Sequence, residues 1–165
     1  MLSKNKNRGF TLIEMVIVII VTLIVVPIAA TILSQEFQIY YIGQNLTNAD
    51  WQGRIALDRI TRDIRAATNI TTANANSITF TNTSEEVITY NLGGTNNTQL
   101  IYSSATSTQP LANNVQGLTF VYYGFDGVTQ AVGNSIRYIT ITLNIVNQNA
   151  NFNLKTAVYA WNIAG

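Results

Sequence analysis

The chain has no cysteine, which excludes a disulfide framework and a thiolate metal site and leaves its redox compartment unread. It has no histidine either, so the commonest general base and the commonest metal ligand are both missing. Ser–His–Asp and Cys–His arrangements are therefore impossible. Charge is scarce: charged residues make up 10% of the chain, against about a quarter in an ordinary soluble domain. From Asn69 onward only Glu85, Glu86, Asp126, Arg137 and Lys155 carry charge. Glu85 and Glu86 are adjacent, and in a strand they would face opposite ways rather than form a catalytic pair. Gly93-Gly94 lacks the Gly-Lys-Ser/Thr of a phosphate loop. Asp126 has no second carboxylate nearby for calcium and reads as a turn residue. Sequons such as Asn69-Ile70-Thr71 are expected by chance in so Asn/Thr-rich a chain. We expect no enzyme, no metal and no cofactor. The net charge of +1 and a pI near 8.0 give little support to nucleic-acid binding.

What the chain does have is one long apolar run. Met15 to Leu33 reads M-V-I-V-I-I-V-T-L-I-V-V-P-I-A-A-T-I-L without a charge. As a helix it is about 28 Å long at 1.5 Å per residue, close to the hydrocarbon thickness of a bilayer. It is apolar on every face and too long for a buried core helix. Lys4, Lys6 and Arg8 precede it, Glu36 and Asp50 follow, and the next basic residue is Arg54. That bias places residues 1–8 in the cytoplasm and the C-terminal part outside. A secretory signal peptide starts in the same way but ends in a small-x-small site. Ile28-Ala29-Ala30 lacks the first small residue, and a signal peptide leaves Glu14 unexplained. An acid at the head of such a run is costly and calls for a partner.

Ahead of the run stands Gly9-Phe10-Thr11-Leu12-Ile13-Glu14-Met15. With its basic leader this resembles the type IV prepilin signature, shared by type IV pilins, the pseudopilins of type II secretion and the competence pseudopilins. The resemblance covers about the first thirty residues. It implies cleavage between Gly9 and Phe10 by a membrane-embedded prepilin peptidase, then N-methylation of Phe10. Removing residues 1–9 takes Lys4, Lys6 and Arg8 with it, so the side-chain balance falls from +1 to −2. The new ammonium at Phe10 and the carboxylate of Glu14 would attract strongly in low dielectric. They stand at an i, i+4 spacing within one chain. The resemblance implies instead that Glu14 meets the Phe10 amine of a neighbouring subunit during assembly. Gly9 lets a peptidase approach the backbone closely. Pro27 removes one helical bond and invites a kink; in the family the corresponding proline often lies about one turn further on.

Beyond Leu33 the pattern becomes amphipathic. Ile42, Leu46, Ala49, Gly53, Leu57, Ile60, Ile64 and Ala67 form one helical stripe, of which Leu57, Ile60 and Ile64 are the expected packing residues. Asp50–Arg54, Asp58–Arg62 and Arg59–Asp63 are spaced to pair on its flanks. Gly43 and Gly53 weaken the helix and allow a bend. The arginines at 54, 59, 62 and 65 are offset by Asp58 and Asp63, a solvated face rather than a nucleic-acid patch. Trp51 and the Tyr40-Tyr41 pair offer an interface, although aromatics beside an apolar stripe read first as packing. Residues 54–68, R-I-A-L-D-R-I-T-R-D-I-R-A-A-T, resemble the end of the long helix in J-type minor pseudopilins and related minor pilins.

After Asn69, short alternating runs read as strands: S-I-T-F-T-N, E-V-I-T-Y-N, Q-L-I-Y-S, L-T-F-V-Y-Y-G-F, R-Y-I-T-I-T-L-N-I-V and N-L-K-T-A-V-Y-A-W. Asp126-Gly127 signals a tight turn, and 103–117 is the least defined region. The expected fold is α+β and pilin-like: a long N-terminal helix packed on a C-terminal antiparallel sheet. Its parts are a cleaved leader (1–9), a transmembrane and assembly helix (10–33), an amphipathic continuation (34–68) and a β-rich periplasmic or extracellular domain (69–165). The expected function is that of a structural subunit of a pilus-like fibre, a minor pseudopilin of type II secretion in particular. Its expected partners are other pilin or pseudopilin subunits, the prepilin peptidase and an inner-membrane assembly platform. The nearest alternative is a type IV pilin for adhesion, motility or DNA uptake. An alternative of another class is a signal-anchored surface module that binds a ligand.

Overall fold

A computed structural model describes residues 9–147 and 150–163. The leader residues Lys4, Lys6 and Arg8 lie outside the described residues. The chain divides into two compact units, Met1–Gly43 and Gln44–Gly165. One helix, α1 (Leu12–Arg65), runs through both.

In the first unit every described residue of the helix is exposed. The helix runs on unbroken through Pro27, although a proline offers no N–H to the carbonyl of Leu23. The threonine and serine hydroxyls of this helical stretch satisfy themselves within it. Thr22 Oγ1 donates to the Val18 carbonyl at 2.7 Å, Thr31 Oγ1 to that of Pro27 at 2.7 Å, and Ser34 Oγ to that of Thr31 at 2.8 Å. A polar group without water nearby has to be paired in this way.

The second unit places helix residues 44–65 against two antiparallel sheets. β1 (Ala67–Ala73), β2 (Ser77–Asn82), β3 (Val87–Gly93), β4 (Gln99–Ser104) and β5 (Thr108–Asn113) form a five-stranded meander in chain order. β6 (Val115–Tyr123), β7 (Tyr138–Asn147) and β8 (Ala150–Tyr159) form a three-stranded one. The sequence suggests one sheet; the break falls at Asn114, whose φ of 59° turns the chain between β5 and β6. The sheets are tied by Phe120 N–H to the Ala75 carbonyl at 2.7 Å and Val115 N–H to that of Thr98 at 2.9 Å.

The stripe packs largely as its spacing requires. Ala49, Gly53, Ala56, Leu57, Ile60 and Ile64 are buried, while Leu46 is half-buried and Ile42 exposed. On β7 the alternation is complete, with Ile139, Ile141, Leu143 and Ile145 fully buried. On β8, Val158 is buried, Leu154 half-buried, and Lys155 and Tyr159 exposed; just past the strand Ala160 is buried and Trp161 exposed.

Three local expectations change. The helix stops at Arg65 and Ala67 already opens β1, because the β-branched run Thr68, Ile70, Thr71, Thr72 favours a strand. The Arg65 carbonyl is capped by Asn162 Nδ2 at 3.1 Å. Residues 103–117 hold β5 rather than a loop; Pro110 obscures it, and a proline is tolerated there because β5 is an edge strand. Gly53 is not a bend residue but a point of close approach. A Cβ added there would stand 2.5 Å from Ile145 Cδ1 and 2.6 Å from Leu154 Cδ1.

Candidate assembly site

Thr11 precedes the helix and Glu14 lies in its first turn. The Thr11 carbonyl accepts from Glu14 N at 3.2 Å and Met15 N at 3.3 Å. Glu14 Oε2 in turn accepts from Thr11 N and Thr11 Oγ1, each at 3.4 Å. This is the reciprocal half of a capping box, in which an acid at the third helical position satisfies the backbone of the cap residue. The acid also faces the positive end of the helix dipole. Sequence reasoning paired Glu14 with Phe10 and overlooked the Thr-x-x-Glu spacing, which carries this signal openly.

Phe10 lies outside the helix with 75% of its surface exposed. Its nitrogen is a peptide N–H in the uncut chain, not the ammonium that would face Glu14. Gly9, Phe10, Thr11 and Glu14 line one open depression. A Cβ on Gly9 would meet nothing within 4 Å, so the fold itself does not require a glycine there. Pro27 lies four turns further along the same exposed helix. The helix is long and apolar enough to cross a membrane, and none of that stretch is buried in the protein.

Leu57, Ile60 and Ile64 lie in the core of the second unit. Beside them the Arg59–Asp63 pair that the spacing led us to expect is drawn into contacts with the five-stranded sheet that the sequence did not announce. Tyr90 Oη donates to Asp63 Oδ2 at 2.5 Å, Asp63 lies 3.9 Å from Arg59 Nε, and the Arg59 guanidinium sits 4.2 Å from the centre of the Tyr102 ring. Burial, and then the bond to Asp63, raise the Tyr90 hydroxyl well above its usual value. Asp50 and Arg54 pair at 2.8 Å, whereas Asp58 and Arg62 do not pair. Asp126 serves its own turn. It accepts from Val128 N at 3.1 Å and Thr129 N at 3.0 Å, and the Thr129 hydroxyl and these amides hold its carboxyl below the usual range. Among the described residues no group of three acidic side chains stands where it could hold a metal ion.

An acid capping an exposed apolar helix, just behind a glycine that the fold does not need, is the arrangement to be matched. Residues 4–26 match the family model of the prokaryotic N-terminal methylation motif. That motif is the type IV pilin signature, and it supports a pilin-like subunit. The match ends inside the apolar run and leaves the second unit outside it. No curated protein and no solved structure matches the chain.

Proposed function

We propose that this chain is a structural subunit of a type IV pilus-like fibre. In this reading a prepilin peptidase cuts it between Gly9 and Phe10, Phe10 is N-methylated, and the apolar helix anchors it in the inner membrane before assembly. The observation that carries the proposal is the methylation motif at residues 4–26, which runs into an apolar helical stretch that the protein leaves unburied. Cutting before that helix keeps the anchor on the mature chain and creates an ammonium at its edge. The Glu14 carboxylate then neutralises the Phe10 amine of an adjacent subunit, where either charge alone would be costly to desolvate. Pro27 supplies a weak point where the helix can adjust as it leaves the lipid. Residues 54–68 favour a minor pseudopilin of type II secretion within this class. Other pilin or pseudopilin subunits and an inner-membrane assembly platform are its partners, and the second unit faces the periplasm or the exterior.

The intact mass of the mature chain tests processing, which predicts a start at methylated Phe10. Retention of residues 1–9 in a host with active peptidase would overturn the proposal. Glu14→Gln tests assembly, since its amide oxygen can still accept from Thr11 while the charge is gone. Cleavage should persist and incorporation into fibres should fail; normal incorporation would reduce Glu14 to a helix cap. For the narrower reading, deleting the gene should stop type II secretion and leave surface pili in place.

A further inference from the structure

We propose that Phe37, Tyr40 and Tyr41 form a lipid-headgroup contact that sets how deep the helix sits in the outward leaflet. The inference rests on the membrane reading above and adds a register to it. No charge occurs from Met15 to Gln35, and twenty helical residues from Met15 end at Ser34 after about 30 Å, the hydrocarbon thickness. The headgroup zone adds about 5–7 Å on each side. Phe37 to Tyr41 lie about 4–11 Å past Ser34 along the axis, and a usual tilt near 20° draws most of that turn into the zone.

The side chains suit that depth. Phe37, Tyr40 and Tyr41 are 63%, 61% and 64% exposed, and the two tyrosine rings meet edge to face at 6.3 Å. Each ring has an apolar body, and the tyrosines end in hydroxyls that can bond ester or phosphate oxygens, the chemistry of an interfacial belt. Glu36, with Leu33, Phe37 and Tyr40, lines a shallow groove in the same turn. A carboxylate there, flanked by Gln35 and Gln38, fits the headgroup zone and would be expensive in hydrocarbon. Phospholipid is favoured over a second copy of the chain because this turn continues the apolar span directly and lies at the level of the lipid ester and phosphate oxygens.

The chain's lack of cysteine allows a direct test. Nitroxide labels go on Ala30→Cys, Gln38→Cys and Asn48→Cys of the full chain, in vesicles of phosphatidylethanolamine and phosphatidylglycerol. Accessibility to oxygen and to a water-soluble nickel chelate should place label 30 in hydrocarbon, label 38 at the phosphates and label 48 in water. Replacing Phe37, Tyr40 and Tyr41 together by alanine should shift label 38 by about 3 Å, a slip of two residues. A deep label 30 with a fully aqueous label 38 overturns the belt alone, as does an unmoved label 38 in the alanine variant. Spin–spin broadening at label 38 that vanishes on dilution with unlabelled chain assigns the face to a second copy instead. An aqueous label 30 removes the membrane reading and the belt together.

Discussion

Glu85 adopts a φ of 62° in the turn between β2 and β3, and its amide donates to the Asn82 carbonyl at 3.0 Å. A residue with a Cβ pays about 1–2 kcal/mol for that conformation, and the Glu85 side chain is exposed. Glu85→Gly should therefore stabilise the protein by about 1 kcal/mol in urea unfolding. Tyr90 makes the opposite case. Its hydroxyl is buried and bonded to Asp63, and Tyr90→Phe should cost about 1–2 kcal/mol by the same measurement. The sign with pH follows from the raised hydroxyl. A folded-state value above the ordinary 10.0 gives stability that is complete below pH 10 and drains away as pH rises beyond it, when the unfolded chain ionises first. Tyr90→Phe should flatten that alkaline loss. Tyr122, raised by burial alone and bonded to the Asn74 carbonyl at 2.8 Å, accounts for what remains.

At the scale of elements, the two helical glycines separate two causes that the sequence leaves mixed. Gly43 has open space where a Cβ would go, so Gly43→Ala should gain about 0.5–1 kcal/mol of helix stability. Gly53 has Ile145 and Leu154 against it, and Gly53→Leu should lose about 2 kcal/mol because the fully buried Ile145 has nowhere to go. Equilibrium unfolding of the two variants by circular dichroism, in the detergent used for the parent chain, checks both. The same contrast explains what periodicity could and could not reveal. Leu57, Ile60 and Ile64 were legible because burial on one face of a helix repeats in the sequence. β7 was legible because alternate residues reach the core. β5 was not, since Thr108, Gln109 and Pro110 hide the apolar alternation of a strand whose Leu111 and Ala112 do reach the core.

The whole molecule is two units with different demands on their surroundings. Helix residues 44–65 supply six buried positions to the second unit, so its core is incomplete without them. A fragment beginning at Gln44 should fold as a soluble domain with a cooperative thermal transition. One beginning at Ala66 should fail to fold, because it loses the whole helix side of the core. Light scattering and near-ultraviolet circular dichroism of the two fragments decide this. A cooperative transition in the shorter fragment would show that the sheets pack without the helix. Among the described residues the first unit buries no side chain: its apolar residues face outward, and burial must come from lipid or from other chains.

The order of the amino acids was enough to specify the membrane-length apolar run, the glycine–phenylalanine junction, the acid behind it and the amphipathic stripe. Each of these is a local spacing that acts through short-range geometry. Tertiary structure alone decided that Gly53 is a contact rather than a hinge, that Asp63 and Tyr90 meet across 27 residues, and that the strands divide into two sheets at Asn114. Those outcomes depend on which surfaces the folded chain brings together, and no local period in the sequence records such a meeting.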